Sequence, residues 1–76
     1  VEQGQGEVLE INVVPDFHGK RIMDIKFPAR AIIGVIIRRN NIIIPKGDTV
    51  INTGDILIIF TTSENAEEIK EFFKVK

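Results

Sequence analysis

The order of apolar and polar residues predicts short strands separated by turns. In the first strand, Leu9, Ile11 and Val13 share one face and polar residues occupy the other, which is typical of a half-buried strand. Residues 31–37 are apolar without any alternation, so this second strand needs a cover on both of its faces. We expect the helices of this chain to supply one cover and a partner chain to supply the other.

Turn residues divide the middle of the chain. Asn40-Asn41 is predicted to form a two-residue hairpin connection, because Asn tolerates the positive φ of a type I′ turn. Two similar turns follow, and in each a Gly-Asp pair precedes a run of β-branched residues, at Gly47-Asp48 and Gly54-Asp55. Further strands are therefore predicted at residues 42–44, 49–51 and 56–60.

Helices are predicted on either side of the central strands. Ile22 and Ile25 lie three positions apart, which favours a short helix of about two turns before Pro28. Near the end of the chain, Ser63 or Asn65 is predicted to cap a second helix, since Asn65 and Glu68 have capping-box spacing. The second helix carries one apolar stripe, formed by Ala66, Ile69, Phe72 and Phe73.

These elements predict an α+β domain with a small mixed or antiparallel sheet of about five short strands and two helices. Residues 1–6 are polar and glycine-bearing, so they are expected to be a linker or frayed terminus, and residues 7–76 are expected to form the domain. Because the chain begins with Val1 rather than Met, we expect it to be a piece of a longer protein.

Composition limits what can stabilise so small a domain. The 76 residues include no Cys and one His, which excludes disulfides, thiolate metal sites and a His-pair metal site within one chain. Oligomerisation or attachment to a larger protein is the expected support. The net charge of -1 gives no electrostatic footprint for nucleic acid. The longest apolar run is too short to span a bilayer, and a cytoplasmic location is expected.

Catalytic chemistry has little basis in these residues. No nucleophile motif accompanies His18, which is interpreted as a loop residue or, alternatively, a pH sensor. Asp48 and Asp55 can be imagined as paired carboxylates, but their position after turn glycines favours a structural role. The glycines form no phosphate-binding loop. We therefore expect neither an enzyme nor a cofactor bound by this domain.

A small basic spot is predicted where the central strand ends, at Arg38-Arg39 with Lys46 across the hairpin. One interpretation is a solvated strand end. The other is an anion contact for a ligand in a cleft between subunits.

One family accounts for the order of these features. Gly19-Lys20 opens the first short helix, Phe27-Pro28 ends it, an Ile-rich strand follows, and P-K-G-D-T at residues 45–49 precedes Gly54-Asp55. Over nearly its whole length the chain resembles the RCK C-terminal (TrkA-C) domain of potassium-transport regulators and related cation transporters. The resemblance implies a cytoplasmic regulatory domain at the inner face of the membrane. It also implies a homodimer, associated with a Rossmann-type nucleotide-binding domain and a membrane cation transporter or channel.

The resemblance further implies an effector site at the dimer interface, with a small anion or nucleotide as effector. Certain relatives bind cyclic di-AMP there through an Arg and an Asn, and the corresponding positions here are Phe27 and Ile33. The resemblance therefore does not extend cyclic di-AMP binding to this chain. An alternative is a purely structural dimerisation module that binds no ligand. The residues predicted to contact the effector are Arg38, Arg39, Ile43, Ile44 and Pro45.

Overall fold

The computed structural model describes residues 5–74 and shows a four-stranded antiparallel sheet with one α-helix. The strand order is β1-β4-β2-β3, so the last strand lies between the first and the second. The α+β prediction with a small antiparallel sheet is confirmed. The elements are β1 (Gly6–Asn12), β2 (Ala31–Arg38), β3 (Asn41–Ile43), β4 (Ile56–Thr62) and α1 (Ser63–Phe72).

The core lies on one face of the sheet, which we call the inner face. In β1 the alternation is as predicted, since Leu9 and Ile11 are buried and Glu10 and Asn12 are exposed. The α1 stripe packs against this face, with Ala66, Ile69 and Phe73 buried. The buried apolar residues are Leu9, Ile11, Val13, Phe17, Ile25, Ile33, Ile36, Ile51, Leu57, Ile59, Ala66, Ile69 and Phe73.

The prediction of a two-turn helix before Pro28 was wrong. The structure has only two single 3₁₀ turns in this region, Pro15–Phe17 and Ile22–Asp24. Gly19 N–H donates to the Ile51 carbonyl and Ile22 N–H to the Thr49 carbonyl. Met23 N–H, which a helix opening at Gly19 would bond to the Gly19 carbonyl, donates to the Gly47 carbonyl instead. A tertiary pairing has therefore replaced local helical hydrogen bonds.

The same pairing explains why the sheet has four strands rather than about five. Residues 49–51 were predicted as a strand of the sheet. Instead, their backbone groups bond to residues 19–22, with a single bridge between Arg21 and Val50. The segment is extended and Ile51 is fully buried, yet it contributes no strand to the sheet.

The β2–β3 turn lies one residue earlier than predicted. Arg39 and Asn40 have φ values of 51° and 67°, and Arg38 pairs with Asn41 to close the hairpin. Two consecutive positive φ values are the requirement of a type I′ turn. The turn class was thus anticipated, while Asn41 belongs to β3 rather than to the turn.

The predicted side-chain caps of α1 were also wrong. Thr62 is the N-cap residue and its side chain makes no capping hydrogen bond. Ser63 is already helical, and its N–H and Oγ both bond to the Gln5 carbonyl at 2.7 and 3.2 Å. At the N-terminal end of α1, the donors of Ser63 are therefore satisfied by Gln5, the residue that precedes β1.

The proposed boundary between a linker at residues 1–6 and the domain stays a prediction. Residues 1–4 lie outside the described part, and Gly6 begins β1 opposite Thr62. Within residues 5–74, no helix is both long enough and apolar enough to cross a membrane. Among the same residues, no group of three or more His, Cys, Asp or Glu side chains is placed to hold a metal ion.

Candidate functional site

Arg38, the last residue of β2, is bound within the domain. Its Nε donates to Asp55 Oδ1 at 2.9 Å and its Nη2 to Asp55 Oδ2 at 2.8 Å, which makes a bidentate ion pair. Nη2 also donates to the Val50 carbonyl at 3.0 Å. The guanidinium therefore joins the end of β2 to the segments on both sides of the Gly54 turn.

Asp55 is the most buried carboxylate described, with 2% of its surface exposed, whereas the Arg38 side chain is 32% exposed. The Arg38 hydrogen bonds lower the pKa of Asp55, burial opposes this, and the Asn52 N–H donating to Oδ2 at 2.9 Å lowers the pKa further. The structural role expected of Asp55 after its turn glycine is confirmed by these contacts.

Arg39 occupies a different environment from Arg38. It lies in the exposed β2–β3 turn, beside a depression of about 220 Å³ that runs along the Gly54 turn. Lys46, predicted to join the same basic spot, borders another depression. The lining residues of the Arg39 depression are Arg38, Arg39, Asn52, Thr53, Gly54 and Asp55.

The depression that Lys46 borders lies beside the first half of β2, and we call it the β2 cleft. Its volume is about 310 Å³ and its walls are mostly apolar. It exists because β3 pairs only with Ile36 to Arg38, so within residues 5–74 the first half of β2 has β4 on one side and no strand on the other. The cleft is lined by Ile22, Phe27, Ala31, Ile32, Ile33, Pro45, Lys46 and Gly47.

The predicted effector residues do not all converge on one depression. Pro45 lines the β2 cleft, while Arg38 and Arg39 line the depression along the Gly54 turn. Ile43 packs against the core, and Ile44 is 70% exposed. The sequence interpretation missed Ile22 and Ile32 as cleft residues, and it grouped Lys46 with Arg38 and Arg39 rather than with the β2 cleft. The one sequence feature that pointed to this strand is the apolar run at residues 31–37, which predicts that a partner covers it.

The face of the sheet opposite the core, which we call the outer face, carries exposed apolar side chains. Val8, Ile32, Ile42 and Phe60 are between 48% and 68% exposed. Val8 and Ile32 flank Phe60, because both pair with it across neighbouring strands. Ile32 also lines the β2 cleft, so the outer face and the cleft share an edge.

Comparison with known proteins places this arrangement in a family. The TrkA-C domain family matches residues 8–74, which include all four strands after the first two residues of β1, the β2 cleft and α1. The chain belongs to the TrkA-C domain family. The RCK C-terminal resemblance inferred from the sequence is confirmed.

The TrkA-C domain is similar to part of several potassium uptake proteins. It is 39% identical over 56 residues to Trk system potassium uptake protein TrkA homolog 1 of Methanosarcina mazei, and 43% identical over 56 residues to the TrkA homolog of Archaeoglobus fulgidus. These alignments cover 74% of this chain and 12% and 13% of the relatives. The TrkA protein of Haemophilus influenzae is 31% identical over 70 residues, which cover 91% of this chain and 14% of that protein. The chain thus corresponds to a small part of each relative.

Solved structures share the TrkA-C architecture. An RCK domain with cda has a TM-score of 0.79 and 30% identity, covering 87% of this chain and 96% of that chain. The RCK C domain of the potassium transport protein KtrA, in complex with cyclic diadenosine monophosphate (c-di-AMP), has a TM-score of 0.77, 23% identity, and coverage of 87% and 81%. The second likeness is one of fold.

Proposed function

We propose that this TrkA-C domain is a cytoplasmic regulatory domain of a potassium or other cation transport system, acting as a homodimer that senses a small ligand in the β2 cleft. The observation that carries the proposal is the shared edge of the outer face and the cleft at Ile32. A second copy of the domain packed on the outer face would cover the open side of the β2 cleft. Ligand binding and dimerisation would then be coupled through one side chain.

Exposed apolar surface supports the dimer. A neighbouring set of large apolar side chains on one sheet face marks an interaction surface more often than a solvated one. Since these side chains are 48% to 68% exposed, burying the rest of each one contributes roughly 1–2 kcal/mol. The outer face, with Phe60 between Val8 and Ile32, offers such burial because these side chains already lie outside the core.

Sedimentation of the full chain tests the dimer. We expect the unmodified chain to sediment as a dimer at micromolar concentration, and Ile32→Lys to sediment as a monomer because the added ammonium would be buried at the interface. Glu71→Lys is the matched control, since it adds a Lys at an exposed position of α1. A folded, unmodified chain that remains a monomer at high concentration would contradict the proposal.

The composition of the β2 cleft suggests the class of its ligand. Lys46 provides one cation, and six residues provide apolar walls, namely Ile22, Phe27, Ala31, Ile32, Ile33 and Pro45. Such a site suits a small anion that also has an apolar or planar body, and a nucleotide meets both requirements. The RCK domain with cda, similar in sequence and fold, supports a ligand at this domain. Phe27 and Ile33 offer no polar contact of the kind cyclic di-AMP receives in certain relatives.

Calorimetry with a panel of nucleotides that includes cyclic di-AMP tests the ligand. We expect a heat of binding that is lost in Lys46→Ala and retained in Arg39→Ala, because only Lys46 lines the cleft. Arg38→Ala is unsuitable here, since it would leave the buried Asp55 carboxylate unpaired. Absence of binding for every nucleotide at millimolar concentration would remove the sensing half of the proposal.

A purely structural dimerisation module is the second candidate. The observation that favours it is the bidentate pairing of Arg38 with Asp55, which occupies the guanidinium once expected to contact an anion. This candidate predicts a dimer that is disrupted by Ile32→Lys and shows no heat with any nucleotide. The two candidates therefore differ in the calorimetric result alone.

The remaining partners are proposed from the relatives. Since the chain spans only 12–14% of three TrkA proteins of potassium uptake systems, we propose that it adjoins a Rossmann-type nucleotide-binding domain and acts on a membrane cation transporter. Potassium uptake by cells carrying Ile32→Lys in the full-length protein tests this. Uptake that no longer responds to regulation is expected, and unchanged regulation would contradict the proposal.

A further inference from the structure

His18, the single histidine of the chain, makes one specific contact that the proposed function does not use. It follows the first 3₁₀ turn, and its Nδ1 accepts a hydrogen bond from the Thr53 N–H at 2.9 Å. An imidazole that accepts at Nδ1 is neutral and carries its proton on Nε2. The contact therefore depends on the protonation state of the ring.

Thr53 lies in the turn that places Asp55. In that turn the Asn52 N–H donates to Asp55 Oδ2 at 2.9 Å, and the Gly54 N–H donates to the Val13 carbonyl at 3.1 Å. His18 holds the remaining residue of the turn by a side-chain contact across 35 positions of sequence. The turn and the Arg38 ion pair that it supports are thus fixed partly by the imidazole.

We propose that His18 is a pH-sensitive tether of the turn at residues 52–55. When a solvent proton binds Nδ1, the nitrogen becomes a donor and can no longer accept from the Thr53 N–H. His18 is exposed, so the charged ring turns into solvent and the Thr53 N–H bonds to water instead. Imidazoles take up this proton between pH 5 and 8, where carboxylates and guanidinium groups keep their charge.

The charged groups around His18 are largely paired with one another. Asp55 faces it from the turn and is bound to Arg38 at the end of β2. On the segment of His18 itself, Asp16 is bound to Lys74, which follows α1. The charged groups that can influence protonation of His18 are therefore Asp55, Arg38, Asp16, Lys74 and the neighbouring Lys20.

Nuclear magnetic resonance of the full chain between pH 5 and 8 tests the tether. We expect the protection of the Thr53 amide from hydrogen exchange, corrected for the intrinsic effect of pH, to fall about 3- to 10-fold as the imidazole gains its proton. The amide resonances of Asn52 and Gly54 are expected to shift with the same midpoint as the imidazole resonances.

His18→Asn provides the matched variant, because its side-chain oxygen lies near the position of Nδ1 and accepts a hydrogen bond at every pH in this range. We expect the Thr53 amide of this variant to stay protected from pH 8 to pH 5. Unchanged Thr53 protection in the unmodified chain would overturn the proposal, as would an equal loss in His18→Asn. If His18→Asn does not fold, the titration of the unmodified chain decides the question alone.

Discussion

Arg38 and Asp55 lie 17 positions apart in sequence and meet at the end of β2. The pair joins three segments, because Arg38 also bonds to the Val50 carbonyl and Asp55 to the Asn52 N–H. A carboxylate that is 2% exposed is tolerated in a core only when its oxygens have such donors. Among the ion pairs of residues 5–74, this one has a buried partner, whereas both partners of the others are at least 39% exposed.

Removing Arg38 is therefore expected to destabilise the domain. Arg38→Met leaves the Asp55 carboxylate buried with one backbone donor, and we expect the free energy of unfolding to fall by about 2–3 kcal/mol. Urea denaturation followed by circular dichroism measures this. Arg39→Met is the control and should change stability by less than about 0.5 kcal/mol, because Arg39 is an exposed turn residue.

The same pair gives the stability a defined dependence on pH. The folded protein holds the pKa of Asp55 below its unfolded value, chiefly through the Arg38 hydrogen bonds, so the stabilisation is present above the unfolded pKa of about 3.9. It is lost as the pH falls through the lower folded pKa. We expect the difference in unfolding free energy between the unmodified chain and Asp55→Asn to be constant above about pH 5 and to shrink below about pH 4.

Asp16 and Asp24 also have lowered pKa values, through Lys74 and Arg21 respectively. Both residues are present in the unmodified chain and in Asp55→Asn. Urea denaturation of these two proteins at each pH measures the difference in unfolding free energy, and this difference isolates the contribution of Asp55. A difference that stays constant down to pH 2 would contradict the assignment.

At the scale of elements, β2 is the strand whose shape sets the site. Its register against β4 shifts between Ile33 and Val35, which places Gly34 at a bulge. The Phe60 ring lies over Gly34 so closely that a Cβ there would overlap the Phe60 Cε2 atom. The bulge, the aromatic ring and the missing side chain together shape the outer face near the β2 cleft.

Gly34→Ala is expected to destabilise the domain by about 1–2 kcal/mol, because the Phe60 ring must move from its position. In a Phe60→Ala background, the same change should cost little, since the obstructing ring is gone. Thermal or urea denaturation of the four proteins measures this coupling. Gly6→Ala in β1 is the control, because its nearest neighbour is the Thr61 carbonyl oxygen at 4.0 Å.

At the scale of the whole molecule, the two faces of the sheet differ in what covers them. The 3₁₀ segments and α1 cover the inner face, while Val8, Ile32, Ile42 and Phe60 remain exposed on the outer face. The proposed dimer predicts a thermal midpoint that depends on protein concentration. For a chain of this length, a tenfold increase should raise the midpoint by roughly 3–6 °C.

Calorimetric scans at two concentrations tenfold apart measure this shift. Ile32→Lys should unfold at a midpoint that is independent of concentration, because a monomer has no association equilibrium. Equal midpoints for the unmodified chain at both concentrations would contradict the dimer.

Local periodicity predicted those elements that are stabilised by their own pattern. The alternation of Leu9 and Ile11 and the stripe of Ala66 and Ile69 each report one buried face. The segment before Pro28 could not be predicted in this way, since its hydrogen bonds go to residues 49–51. A helical spacing of Ile22 and Ile25 therefore arose in a segment that is not helical.

The site could be predicted from the sequence less completely than the fold, for a related reason. The β2 cleft is formed by residues 22 and 27, 31–33 and 45–47, which only the tertiary structure brings together. Arg38 was recognised as a functional candidate from its charge, but its partner Asp55 follows a different turn. Sequence motifs indicate the family, whereas the pairing of side chains across turns depends on the tertiary structure.

The position of β4 in the sheet has a consequence for synthesis of the domain. β4 separates β1 from β2, so neither of these strands has its main partner until residues 56–62 have been made. Pairings this distant along the chain form slowly, because a long loop must close first. We expect a nascent chain arrested before β4 leaves the ribosome to remain unstructured and open to protease, and to gain resistance in a single step once β4 and α1 emerge.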